Sequence, residues 1–441
     1  MNVIVIALDT LRRDALGCYR EDWVQTPCLD AFAERATIFE RAYCASFPTI
    51  PMRTDCFTGN VNFPRYGWTK LPDDEILITE VMRNAGYYTG FVTDTTNMIP
   101  TGFERGFHDV LVIKAPPENT IKPEDIPFDV PPENLRGNGK GYQRDMAERA
   151  HFRRESDWFV ARTMCTACDW LQDHHEKKLF LWVDSFEIHE VWHTPDYYVD
   201  LYSRNYGGLD YKYPNYGYMD CYKPSELERL RARYAAEVTL TDRWVGHLFR
   251  QIELMGLFAN TMVVVISDHG MAIGEHKRCG KHTVDYDDPW PMFEEVTHIP
   301  LLVWIPARGI RKRVKALAQP ADLMATIADV CRVKIHRIYG KSWLPLLTGK
   351  KQRNWEYVFT SRNNWGYPGA SRATVTDEQW TYMVAERDFP GMLFDLKTDP
   401  AQTRNLMKKH PAIVGKMHSA FLDFMRRSEA EQGYIAKYDV L

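Results

Sequence analysis

Apolar residues fall along the chain in short continuous runs separated by amphipathic stretches, and several runs stop at a polar cluster that contains aspartate. Residues 3–8 (VIVIAL), 179–183 (LFLWV) and 261–266 (TMVVVI) are such runs. A strand reads this way when both of its faces are covered, as at the centre of a parallel sheet. Residues 88–93 and 299–305 read as further strands. Between them, apolar positions at helical spacing predict helices over 26–36, 76–85, 157–174, 226–255 and 321–333, with Gly86 as the C-cap of the second. Strands and helices in alternation predict an α/β fold, a mostly parallel central sheet with helices on both faces. From about residue 355 the pattern changes. Strand-like pieces at 357–360, 380–384 and 392–396 precede a terminal helix at 411–427, which predicts a small antiparallel subdomain. The expected division is a catalytic α/β domain over 1–350 and a C-terminal subdomain over 351–441.

Two stretches lack any period. Residues 114–140 are rich in Pro, Gly and charge and read as a surface insertion. Residues 194–224 carry nine tyrosines, too aromatic for disorder, and so predict a pocket wall or a subunit contact, with the wall favoured.

The strand ends carry the candidate chemistry. They are Asp9-Thr10, Asp184 followed by His189, and Asp268-His269. Open α/β sheets bind ligands at these carboxyl ends. A lone aspartate there is an ordinary turn cap, so its weight comes from the convergence of several. Thr49 stands just ahead of Pro51 at a predicted helix start, with Arg53 one turn on. A hydroxyl there faces free N–H groups and the positive end of the helix dipole. Asp9, Asp268, His269 and Thr49 together make a candidate site for one divalent metal ion. The imidazole favours Zn²⁺ or Mn²⁺ and leaves Ca²⁺ and Mg²⁺ open. A second metal would call on Asp184, His189 and His193.

Composition narrows the class. A chain of 441 residues with 45% hydrophobic and 26% charged positions is that of a soluble globular protein. A net charge of −4 gives no reason to expect nucleic acid or an anionic membrane as partner, and no apolar run approaches membrane length. The first nine residues lack a basic flank and read as a strand rather than a signal peptide. The nine cysteines are odd in number and show no framework spacing, so reduced thiols in a cytoplasmic protein are expected. The expected partner is a small-molecule ester; a homo-oligomer stays open.

Thr49-x-Pro51-x-Arg53 followed by Thr58-Gly59 resembles the sulfatase signature Cys/Ser-x-Pro-x-Arg…Thr-Gly. Further landmarks follow in the family's order. They are Asp9, the segment from Val183 to Trp192, Ser267-Asp268-His269-Gly270, Gly274-Glu275-His276, Gly280-Lys281, Asp322, Gly340-Lys341 and Leu393-Phe394-Asp395. The resemblance spans nearly the whole chain and implies an alkaline-phosphatase-like fold and a metal-dependent ester hydrolase. It implies Arg53 and Lys281 as cations at the anion, His189 or His282 at an ester oxygen or the leaving group, and Asp9 as a metal carboxylate. Three departures bear on the substrate. Sulfatases oxidise the first signature residue, Cys or Ser, to formylglycine, whereas a directly attacking Thr is the device of the superfamily's phosphodiesterase branch. A second aspartate is usual where Thr10 stands. The sulfate-binding Lys-x-His pair falls on Asp94 and Thr96. The reading favoured is hydrolysis of a phosphate or phosphonate ester, a diester above a monoester. The alternatives are a sulfuric ester hydrolase that works without formylglycine and a non-catalytic anion-binding relative.

Overall fold

The computed structural model describes residues 1–19, 23–116, 119–282, 290–306, 310, 312–363, 372–387 and 389–440. The large sheet contains β1 (Asn2–Leu8), β2 (Thr37–Tyr43), β3 (Tyr88–Thr93), β4 (Asp109–Val112), β5 (Leu179–Ser185), β6 (Thr261–Ser267), β7 (His298–Ile299), β8 (Leu301–Trp304) and β9 (Arg313–Ala318). Their order is β7-β2-β8-β6-β1-β5-β3-β4, with β9 also on β2. From β6 through β1, β5 and β3 to β4 every pairing is parallel; β8 runs antiparallel to both β6 and β2.

β1 lies at the centre, with Val5 opposite Trp182 of β5 and Val264 of β6. Its seven residues are all buried, as its unbroken apolar run requires. Side chains alternate across the sheet. Ile4, Ile6 and Leu8 join the core beneath helices Phe159–His174 and Pro224–Leu254. Val3, Val5 and Ala7 join the core beneath Thr49–Thr58, Ile78–Asn84 and Asp322–Cys331. The mostly parallel, doubly covered sheet is the one the sequence predicts.

Some boundaries differ. The run at 299–305 divides at Pro300, which has no N–H for a ladder, into β7 and β8. β2 does not follow the apolar-run rule because Glu40 and Arg41 sit inside it; Glu40 is an ion-pair partner of Arg13 and of Arg313 in the adjacent β9. Part of the Tyr-rich segment does form a strand: Gly217–Tyr218 pairs with Arg278–Gly280, which pairs with Ala272–Ile273.

At the C-terminus, strands Val358–Thr360, Thr374–Thr376, Trp380–Met383 and Met392–Asp395 form an antiparallel sheet in sequence order. Helix Pro411–Arg427 shares its core. This sheet is sewn onto the loop that precedes Thr49. The Phe47 N–H donates to the Ser361 carbonyl, and the Ser361 N–H donates to the Ala45 carbonyl, both at 3.0 Å.

Candidate active site

The helix Thr49–Thr58 begins after Pro48, carries Pro51 in its first turn and closes at Gly59 in the left-handed region (φ 69°). All ten of its residues are buried, so it is held from every side. The carboxylate of Asp55 reaches back to the preceding loop and accepts from the Ser46 N–H (2.7 Å), the Ser46 hydroxyl (2.8 Å) and the Asn62 N–H (2.9 Å). Burial pushes Asp55 up to about 7, against the pull of those donors. Thr49 is 2% exposed, and its hydroxyl makes no hydrogen bond among the described residues. It stands in the first turn, where backbone N–H groups lack intrahelical partners.

Arg53, one turn on, is completely buried. Its Nε and Nη2 fork onto Asp184 at 3.0 and 2.8 Å, and its Nη1 donates to Asp268 at 2.6 Å. Nη1 also lies 3.4 Å from Asp9 and 3.3 Å from the Thr49 carbonyl. One guanidinium thus ties the helix to three strand ends. Asp184 further accepts from the Thr95 hydroxyl (2.7 Å) and the Trp182 indole (3.0 Å). Asp184 is therefore filled as an arginine holder. The candidate set for a second metal, Asp184, His189 and His193, does not assemble: among the described residues only Asp9, Asp268 and His269 group as ligands. His193 instead stacks on Trp158, with ring centroids 5.6 Å apart.

Ligand atoms of Asp9, Asp268 and His269 lie within 4.8 Å of one another. His269 Nδ1 donates to the Gly270 carbonyl at 2.9 Å, which fixes the tautomer and leaves Nε2 as an acceptor. Burial, opposed by Asp268, pushes His269 down to about 3, so the imidazole is neutral. His269 Nε2 and Asp9 Oδ2 are sealed from solvent and take no hydrogen bond among the described residues. Buried polar atoms without partners are costly, and a cation between two carboxylates and a neutral imidazole would satisfy both. The residues fit a divalent metal. Burial and the charge of Asp268 raise Asp9 well above the usual carboxylate range. Burial works against Asp268 as well, yet the Arg53 and Lys281 cations and a hydrogen bond with Asp9 hold it well below that range.

Thr10 has left-handed backbone (φ 62°), strained for a β-branched residue by about 1–3 kcal/mol. Four hydrogen bonds hold it there. Its N–H donates to Asp268 (2.9 Å), its hydroxyl donates to Asp9 (2.7 Å) and accepts from Lys281 (3.2 Å), and its carbonyl accepts from Tyr234 (2.9 Å). Thr10, noted from the sequence as a departure from a usual second aspartate, is a neutral bridge between Asp9 and Lys281. Lys281 is itself 3.9 Å from Asp9. Burial lowers it, opposed by Asp9 and Glu190.

The remaining expected residues divide. His189 is half-buried, stacks on Phe186 at 4.1 Å, and donates from Nδ1 to the Glu190 carbonyl at 2.6 Å. Asp94 faces inward, accepting from the Phe186 N–H (2.5 Å), the Ser185 hydroxyl (3.1 Å) and the Thr163 hydroxyl (3.2 Å). Burial and Glu187 push it up to about 7. Thr96 is exposed on the turn Thr96–Met98, and its buried neighbour Thr95 is the one that reaches Asp184. The His282 ring sits edge-on to Tyr216 at 5.1 Å. Sequence reasoning missed Glu190, Arg136 and Tyr216 beside His189. Glu190 was legible within the His189 segment, whereas Arg136 lies in the aperiodic insertion and carries no local signal.

Comparison with known proteins accords with this geometry. The family model described as Sulfatase matches residues 1–333, and that described as N-sulphoglucosamine sulphohydrolase, C-terminal, matches 280–426. The chain is 23% identical over 500 residues to Arylsulfatase K of Gallus gallus, covering 99% of this chain and 85% of the relative. It is 25% identical to the Ulvan-active sulfatase of Formosa agariphila, covering 99% and 84%. The solved phosphonate monoester hydrolase of Agrobacterium radiobacter has the same fold, with a TM-score of 0.76 at 18% identity over 97% of this chain and 96% of that one. The chain belongs to the sulfatase family of ester hydrolases.

Proposed function

We propose that the protein hydrolyses a phosphate or phosphonate ester, preferring a diester, with Thr49 as nucleophile. The observation that carries this reading is Thr49: its hydroxyl is free of hydrogen bonds among the described residues, the residue is buried, and its backbone carbonyl accepts from the Arg53 guanidinium that also meets Asp9 and Asp268. Asp9, Asp268 and His269, with Thr49 beside them, would hold one divalent ion, Mn²⁺ or Zn²⁺ by donor type. Bound there, it would supply Lewis-acid polarisation of the ester oxygen and lower the pKa of the hydroxyl.

The protein groups do the rest. Thr49 Oγ forms a bond to phosphorus as the bond from phosphorus to the leaving oxygen breaks. The proton lost by Thr49 passes to His189, whose Nδ1–H is committed to the Glu190 carbonyl and whose unprotonated Nε2, without a hydrogen bond among the described residues, can only accept; the imidazolium so formed then gives that proton to the leaving oxygen. Water then cleaves the phospho-threonine, restoring the hydroxyl. Lys281, bridged by Thr10, offers positive charge to the equatorial oxygens. Arg53 acts through the carboxylates it organises, because its guanidinium is spent on them. Asp94 turned inward and Thr10 in place of a carboxylate leave a site of modest charge, which suits a monoanionic diester. The names of the relatives support a sulfuric ester as the second reading. All nine thiols are unpaired, which supports a reducing compartment. No helix among the described residues is long and apolar enough to cross a membrane.

The test is kcat/KM on nitrophenyl esters of phosphate (mono and di), phosphonate and sulfate, with Mn²⁺ or Zn²⁺ supplied. Diester or phosphonate turnover is expected to lead, and Thr49→Ala to lose at least about a thousandfold. Mn²⁺ is also expected to raise the melting temperature of the wild type and not of a His269→Ala, Asp268→Asn double variant. Sulfate as the best substrate, or full activity in Thr49→Ala, would overturn the proposal.

A further inference from the structure

The two aperiodic stretches meet beside His189. Arg136, in the short turn Arg136–Gly139, lies over the rings of Tyr213 and Tyr216, 4.7 and 4.4 Å from their centroids. Its Nη2 and Nε donate to the Tyr213 hydroxyl at 2.5 and 3.2 Å. Its Nη1 stands 2.5 Å from Glu190 Oε1, the oxygen that also accepts from the Tyr216 hydroxyl. Gly280 makes room for this arrangement: a Cβ there would come within 2.5 Å of the Tyr216 ring.

Glu190 is 1% exposed and offers His189 two competing acceptors. The imidazole Nδ1 donates to the Glu190 carbonyl at 2.6 Å, while Oε2 of the same residue waits 3.5 Å away without a hydrogen bond among the described residues. The neutral carbonyl keeps a neutral ring. The carboxylate, were it to close that gap, would draw a second proton onto the imidazole and occupy it in an ion pair.

We infer that Arg136 is a positioning residue for His189: braced by Tyr213 and Tyr216, it holds the Glu190 carboxylate away, so that His189 stays neutral, bound to the Glu190 carbonyl, with an unprotonated Nε2 open to accept a proton. The inference rests on His189 as the group that handles the leaving oxygen, and it gives the Tyr-rich segment its task. The charged groups that face the ring are Glu190 from its own loop, Lys281 from the segment after strand Arg278–Gly280, and Arg136. Burial and the two cations push His189 well down, and Glu190 alone pulls it up. Removing Arg136 removes a cation and releases the carboxylate, and both changes raise the imidazole pKa.

The experiment is an NMR titration of the histidine ring signals in the full-length protein, with His189 assigned by its loss in His189→Gln. In Arg136→Met the His189 midpoint is expected to rise by about one pH unit or more, a tenfold change in proton affinity. Arg136→Lys is expected to return most of that shift. On the best nitrophenyl ester, kcat of Arg136→Met should fall about tenfold or more with KM nearly unchanged. An unmoved His189 midpoint in folded Arg136→Met overturns the inference. If that variant does not fold, Tyr213→Phe, which removes only the hydroxyl that accepts from Arg136, decides by the same titration: an upward shift supports and no shift overturns. Full turnover by His189→Gln would instead sink the role given to His189 in the reaction, while the titration still decides what Arg136 does.

Discussion

Arg53 shows how one side chain sets the chemistry of the site. Three buried carboxylates, Asp9, Asp184 and Asp268, converge on it, and its charge is shared among all three. Removing one partner from such a buried set costs about 3–5 kcal/mol. Arg53→Met is therefore expected to lose stability on that scale in urea unfolding. Mn²⁺ should restore part of it, because a bound cation would compensate Asp9 and Asp268 but not Asp184. Asp9, Asp268, His269 and Thr49 were legible from strand ends and a helix start. That Asp184 serves arginine rather than metal was not, because a carboxylate at a strand end looks the same whichever cation it faces.

At the scale of elements, the loop carrying Thr49 is held from two directions. Asp55 braces it from within, and the C-terminal sheet braces it from outside through Ser361. The Thr360 hydroxyl adds a hydrogen bond to the Cys44 carbonyl, both buried. Thr360→Val keeps the shape and leaves that carbonyl only the longer bond from Gln319 Nε2 (3.4 Å), so about 1 kcal/mol of stability should go, read as a lower urea midpoint with an unchanged slope. A helix starting at Thr49 was expected from the proline in its first turn; that it ends at Thr58 is shown by the structure. The strand β2, in contrast, hid behind Glu40 and Arg41, which break the apolar run; Glu40 pairs with Arg13 and Arg313.

At the scale of the whole molecule, buried acids make stability depend on pH. Glu295, in the turn Glu294–Thr297, is 9% exposed; its Oε1 lies 3.8 Å from His276 and takes no hydrogen bond among the described residues. Burial and the charge of Glu275 push it up to about 8. Its ordinary value is near 4.5, so between those limits the folded state holds a proton that the unfolded state has released. This group's contribution is present at low pH and is lost as pH rises through about 8. Glu295→Gln should flatten that decline, on the order of 2 kcal/mol between pH 5 and pH 8 by urea unfolding at each pH.

The sequence by itself determined the central strands of the sheet and the helices that cover them. Unbroken apolar runs are stable only where both faces are packed, and the aspartates that end them must lie together at one edge of a parallel sheet. It also marked Thr49 and the metal trio, because helix starts and strand ends have local signatures. Only the tertiary structure decided which cation each carboxylate meets, that Thr10 bridges Asp9 and Lys281, and that Arg136 reaches Glu190 from an insertion some fifty residues earlier. Those pairings depend on distances between segments far apart in the chain, and no local pattern of side chains encodes such a distance.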